Sequence, residues 1–173
     1  MISFLKKWIN KKVVSIVKQE LELQLSVPSK QKEKKYRIKY KLPDSFRFGR
    51  IEAIFLSGEN ISIGENTYIN TGMIQAGKES SVRIGEWCAI AYNVSIVAVT
   101  HDTDVPTGPP EFRKVIEGDI SIGDRVWIGS NVYIREGVTI GNDVVVGANS
   151  VVTKNIPDNA IVGGVPAKIL RNK

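Results

Sequence analysis

Aliphatic side chains recur at every sixth residue through most of the chain: at Ile63 and Ile69, at Ile84, Ile90 and Ile96, and at Ile122, Ile128, Ile134, Ile140, Val146 and Val152. The next residue is usually small, as at Gly64, Gly85, Ala91, Gly123, Gly129, Gly141 and Gly147. Four places on stands a small or β-branched residue, among them Thr67, Cys88, Val94, Val126, Val132, Val138 and Val144. Side chains alternate across a strand, so the pairs Ile61/Ile63, Val82/Ile84, Ile120/Ile122 and Val144/Val146 each share one inward face. A helix does not hold a six-residue stripe on one side, and the interspersed glycines weaken it. Gly64 to Asn66, Gly123-Asp124 and Gly141 to Asp143 suit tight corners that need positive φ or local side-chain bonding. The pattern therefore predicts short strands joined by regular corners, a β-solenoid with the first and fifth positions of each hexad turned inward. Periodicity leaves its handedness open.

The rhythm breaks twice. Ile63 and Ile84 are 21 residues apart, three more than three hexads, which predicts a small insertion near Gln75 to Ser81. Ile96 and Ile122 are 26 apart, which leaves about twenty residues for a loop, HDTDVPTGPPEFRKVIEGDI. Pro106, Gly108, Pro109 and Pro110 exclude regular structure there, and long loops on a rigid repeat commonly carry function. His101, the single histidine, stands at the root of this loop. It holds the sixth position of its hexad, so its ring is expected to point outward near a corner. Trp127 holds the same position in its own hexad. An outward indole serves as a wall for a ligand or as a subunit contact.

A chain of 173 residues suits one domain with one core. Cys88 is the only cysteine, which excludes an intramolecular disulfide and leaves it as a small core residue. The net charge of +6 is unevenly placed: residues 1–41 hold twelve Lys/Arg and three Glu, and the remainder holds twelve against fifteen Asp/Glu. Residues 1–25 set Phe4, Leu5, Trp8, Ile9, Val13, Ile16 and Val17 at helical spacing among lysines, the pattern of a basic amphipathic helix. Such a helix packs on its own solenoid or a neighbouring subunit, or rests on an anionic membrane surface. Residues 26–60 read as a connecting or edge-strand segment, residues 61–166 as the solenoid with its loop at 102–119, and residues 167–173 as a tail. Lys30 to Lys41 is basic, but no nucleic-acid recognition motif accompanies it. No apolar run spans a bilayer and no continuous signal-peptide core opens the chain, which suits a cytoplasmic protein with at most peripheral membrane contact.

The run IGDRVWIGSNVYIREGVTIGNDVVVGANSVVTKNIPDNAIVGGVPAKILR, from Ile122 to Arg171, resembles the C-terminal half of hexapeptide-repeat acyltransferases, above all the maltose and galactoside O-acetyltransferase group. VWIG, VVTK-IP and GVPAK are its specific elements, and a weaker likeness reaches back to Ile61 through IGENTYIN and IGEWCAIAYNVSI. The resemblance implies an all-β fold, a left-handed parallel β-helix with an N-terminal helix and one long extruded loop. It also implies a homotrimer with acetyl-CoA lying in grooves between subunits, and His101 as the catalytic base. An imidazole is suited to accept the proton of an attacking hydroxyl and return it to the leaving thiolate.

Carried over by position, Trp127 resembles the aromatic wall beside the pantetheine arm, and Ser130 and Ala148 resemble contacts to that arm. Thr153, Lys154 and Arg171 resemble contacts toward the nucleotide phosphates. Asn70 resembles an asparagine facing the acceptor. Gly72 replaces a second one, and Thr100-His101-Asp102 stands where the sugar acetyltransferases carry a histidine-proline pair. These departures bear on the acceptor and not on the donor. Asp102 and Asp104 could meet sugar hydroxyls, orient the imidazole, or stand solvated in the loop. The expected function is acetyl-CoA-dependent O-acetylation of a carbohydrate, in a surface polysaccharide, its precursor or a small sugar. Acetylation of an amino sugar or an antibiotic, and a non-enzymatic scaffold, are the alternatives. A γ-type carbonic anhydrase on this fold needs three histidines for zinc, so no metal is expected.

Overall fold

The computed structural model describes residues 29–102, 104, 109 and 113–173. The basic amphipathic segment 1–25 lies outside the described residues. Strands stack into the three faces of a parallel β-helix of about five coils. The first face holds β1 (Arg47–Phe48), β4 (Tyr68–Ile69), β7 (Ala89–Ile90), β12 (Trp127–Ile128), β15 (Val145–Val146) and β17 (Ala160–Gly163). The second holds β2 (Ile54–Ser57), β5 (Gly72–Gln75), β8 (Val94–Val97), β13 (Tyr133–Ile134) and β16 (Val151–Val152). The third holds β3 (Ile61–Ile63), β6 (Val82–Ile84), β11 (Ile120–Ile122) and β14 (Thr139–Ile140).

The inward stripe is as the hexads predict. Ile96, Ile128 and Ile134 are fully buried, and so are the fifth-position residues Thr67 and Val144. Cys88 is 1% exposed, with burial pushing its thiol pKa up. The corners divide their tasks differently from the expectation. The left-handed conformation falls on the fourth hexad position, at Asn66, Asn93, Arg125, Asn131, Asp143 and Asn149, with φ of 55–59°. The glycine at the second position answers to space: a Cβ on Gly64 would lie 2.6 Å from the backbone of Gly85 in the next coil.

Four other expectations are corrected. The solenoid begins at β1 and not at Ile61, because Phe48 and Leu56, which pair with Ile69 and Ile74, complete a first coil at a spacing of eight residues instead of six. The segment expected as a connection or edge strand is helical over residues 29–40 (α1). Its Tyr36 and Tyr40 close the open end of the core, with ring centroids 5.8 Å apart, beside the 4.7 Å Phe46–Phe48 pair. Residues at the C-terminal end form a strand, β18 (Lys168–Asn172), folded back antiparallel on β17. The first break in the rhythm is also not a simple insertion. Ile69 and Ile74 pair with Ile90 and Ile96, so the second coil lacks one residue at its first corner; the next corner then carries four extra, between Ile74 and Ile84. Gly72 makes the shortened corner possible, with φ 150° and no room for a Cβ against the Val94 carbonyl.

Among the described residues, no helix is long and apolar enough to cross a membrane.

Candidate active site

The sequence Val-Thr-His after β8 and Val-Ile-Glu before β11 are β-branched runs. They pair as an antiparallel hairpin of β9 (Val99–His101) and β10 (Val115–Glu117). The expectation that the inserted loop has no regular structure is corrected here, since both of its roots are strands. His101 lies opposite Val115 at the far end of the ladder, with an exposed side chain, as its hexad position predicts.

Three carboxylates fix this arm. Glu117, at its base, accepts backbone N–H bonds from Lys78 (3.1 Å), Glu79 (2.8 Å) and Ser80 (2.8 Å), all in the four-residue insertion of the second coil. Asp119 accepts the Ser81 N–H and O–H at 2.7 and 2.9 Å. The two interruptions of the hexad rhythm therefore grip each other. Asp102, one residue past His101, accepts the Asp104 N–H at 2.9 Å and pairs with Lys114 Nζ at 3.1 Å. Its side chain is only 9% exposed, so the reading as a solvated loop carboxylate is replaced by that of a clamp across the arm.

All three carboxyl pKa values lie below the ordinary range. For Asp102 the Asp104 N–H is the main cause, followed by Lys114. For Asp119 the main cause is the N–H of Ser81. For Glu117, burial acts upward and is outweighed by the backbone and hydroxyl donors of residues 78–80.

The arm separates two cavities. On one side, Val99, Val115 and Glu117 line a cleft of about 800 Å³ with Asn60, Gln75 and Lys78. On the other, Thr100, His101 and Ile116 face Tyr133, Arg135, Glu136 and Thr153 across a groove of about 270 Å³. In a ladder, alternate residues share a face, so His101 lies on the hairpin face of Val99 while also lining the smaller groove. Within that groove Arg135 is paired with the buried Glu136. Burial, then the charge of Glu136, pushes the Tyr133 hydroxyl pKa up.

The other residues singled out from sequence fall into separate groups. Thr153 joins His101 in the smaller groove, with exposed Lys154 next to it in the chain. Trp127 stands on the first face, 58% exposed, in a column that runs Tyr68, Ala89, Trp127, Val145, Ile161, Arg171. Arg171 is three rungs from Trp127, about 14 Å at ordinary strand spacing. Ser130 and Ala148 occupy successive corners between the first and second faces, where Ser130 Oγ accepts the Tyr92 N–H at 3.4 Å. Asn70 sits lower on the same edge, beside a shallow pocket of about 290 Å³ with Arg47 and Tyr68, and does not line either cavity at the arm. Sequence reasoning missed Glu117 and Asp119, although both precede the return of the rhythm at Ile122. It also missed Glu136, buried and paired with its neighbour Arg135.

The model for "Bacterial transferase hexapeptide (six repeats)" matches residues 119–154. A hexapeptide-repeat containing acetyltransferase of Vibrio cholerae superposes with a TM-score of 0.69 and 31% identity, covering 88% of this chain and 85% of that one. The chain belongs to the hexapeptide-repeat acetyltransferases. A second structure of the V. cholerae family member, complexed with acetyl coenzyme A, aligns at 32% identity and a TM-score of 0.60, over 79% of this chain and 73% of that one. Galactoside O-acetyltransferase of Escherichia coli K12 is 36% identical over 120 residues, 68% of this chain and 56% of its own length. A relative in the same organism, provisionally named a lipopolysaccharide biosynthesis O-acetyl transferase, is 40% identical over 131 residues, 72% of this chain and 62% of its own length. The chain thus spans less than two thirds of either curated family member.

Proposed function

We propose that the chain is an acetyl-CoA-dependent O-acetyltransferase acting on a carbohydrate hydroxyl by direct transfer, with His101 as general base. The observation that carries this reading is the place of His101 on an arm between two cavities, which suits an acceptor on one side and a thioester on the other. The larger cleft has the volume of a small-molecule site and polar groups at Asn60, Gln75 and Lys78 to meet hydroxyls. His101 Nε2 or Nδ1 accepts the acceptor's proton as that oxygen bonds to the acetyl carbonyl carbon. When the C–S bond breaks, the same imidazole returns the proton to the departing sulfur, so the balance closes without a covalent enzyme intermediate. Fixing both reactants about one side chain contributes by orientation.

The residues fit the donor. Trp127 projects beyond small Ala89 and so offers a free indole face to the pantetheine arm, with Ser130 and Ala148 at the adjoining corner. Arg171, Lys154 and Thr153 supply cations and a hydroxyl for phosphates. Trp127 and His101 stand on different sides of one solenoid, and this supports a homotrimer whose sites are completed between subunits. Phe55 and Met73, exposed on the second face, give such a contact an apolar surface. One relative named a galactoside O-acetyltransferase and another provisionally named for lipopolysaccharide biosynthesis support a saccharide acceptor.

The test is a screen of CoA release over sugars and sugar nucleotides, with mass spectrometry of products. An acetyl ester on a sugar is the expected result. An amide product would move the reading to an amino sugar, and the absence of both CoA binding and release would leave a scaffold.

A further inference from the structure

Helix α1 presents a second surface that acetyl transfer does not use. Its one acid, Glu33, is paired with Arg37 at 3.0 Å. Tyr36 and Tyr40 turn onto the first coil, where their hydroxyls donate to the carbonyls of Ile54 (3.4 Å) and Gly58 (3.2 Å). At 3.6 residues per turn the opposite side carries Lys30, Lys34, Lys35 and Ile38, with Lys41 just beyond the last turn. All five are exposed, Ile38 at 69%. Lys39 borders this face, its ammonium 5.1 Å from the Tyr40 ring. Core packing explains the tyrosine side of the helix and asks nothing of the lysine side.

We propose that this face docks the protein on an anionic lipid bilayer. Every ionisable group on it is cationic, so it complements a surface of negative headgroups, and each lysine adds to the attraction within a Debye length. Ile38, placed among the lysines, is the apolar group that such a helix sinks to the headgroup boundary while long lysine stems keep their charges in water. The helix lies across the end of the solenoid and so offers its side to a plane. A nucleic-acid surface fits less well: the helix turns its tyrosines and its one arginine away from the basic face, which leaves nothing there to stack on bases. Gly58, bonded to Tyr40, also lines the 800 Å³ cleft, so docking sets that cleft beside the lipid surface.

Co-sedimentation of the full-length chain with phosphatidylcholine vesicles, with and without phosphatidylglycerol, tests this, alongside the combined variant Lys30→Gln, Lys34→Gln, Lys35→Gln, Lys41→Gln. The wild type is expected to bind only the anionic vesicles and to be released by salt. The variant should bind about 100-fold more weakly with an unchanged melting temperature. Wild-type binding by the variant would overturn the proposal and place any membrane contact elsewhere in the chain. Equal binding to neutral vesicles, no binding at all, or displacement from vesicles by a short nucleic acid would overturn it too.

Discussion

The run from Ile122 to Val152 and the stretch from Ala76 to Asp119 are built on the same core but bonded in different ways. In the unbroken run, polar side chains join like positions in successive coils: Asn131 Nδ2 donates to Asn149 Oδ1 at 3.1 Å, and the Asp124 N–H donates to Asn142 Oδ1 at 2.8 Å. Any coil could serve as the template for the next. The interrupted stretch keeps some of these bonds, such as Asn93 Nδ2 to Asn131 Oδ1 at 3.0 Å, and adds others in which Glu117, Asp119 and Asp102 accept from the backbone of the two interruptions. Ile96 and Ile134 are equally buried in the two stretches, so the core does not distinguish them. His101, the proposed base, stands where the backbone leaves the ladder, and carboxylates hold that arm in place.

The largest expected effect lies in the interrupted stretch. His101→Ala should lower turnover by about 10²- to 10⁴-fold with little change in CoA affinity, measured by CoA release and calorimetry. Wild-type turnover in the variant would remove the general-base role. Ile134→Ala, in the unbroken run, should do the reverse: about 2–5 kcal/mol of stability lost in urea denaturation, because a fully buried side chain leaves a cavity, with activity surviving in the folded fraction. A Trp127→Ala variant is expected to weaken CoA binding by about tenfold while melting as the wild type does, since the indole is largely exposed. Unaltered CoA affinity would take the donor off the first face.

The smallest effect is a local one with pH. Asp102, Glu117 and Asp119 have lower pKa values in the fold than in an unfolded arm. Their contribution is therefore full above about pH 5, beyond the ordinary carboxylate values, and fades as pH falls through the lowered values. Proteolysis of the arm should accelerate only below about pH 5, before the coils themselves open. Acceleration between pH 5 and 7 would mean that other groups hold it.

The hexads made the three faces and their core legible because, from Ile122 on, one coil differs from the next only by substitution. Coil one was not legible: its spacing from Phe48 to Leu56 follows no hexad, and its closure depends on the tyrosines of a helix whose lysines disguised it as a solvated segment. His101 could be placed outward from its position in the repeat, and Trp127 likewise. The anchoring role of Glu117 could not be read, because it arises from contact between two insertions, and periodicity is silent about residues that break it. Asp102 looked solvated in sequence because its partners Asp104 and Lys114 meet it only when the arm folds back on itself.

The fold-back of β18 has a consequence for solubility. A parallel solenoid ends in a row of unpaired amides, a template on which another molecule could continue the stack into a fibre. On the first face β18 occupies that row in the antiparallel sense, which no further parallel strand can extend in register, and it lines the new margin with Lys168 and Arg171. The hexads that make the domain easy to build would, without this strand, leave that face open to further stacking.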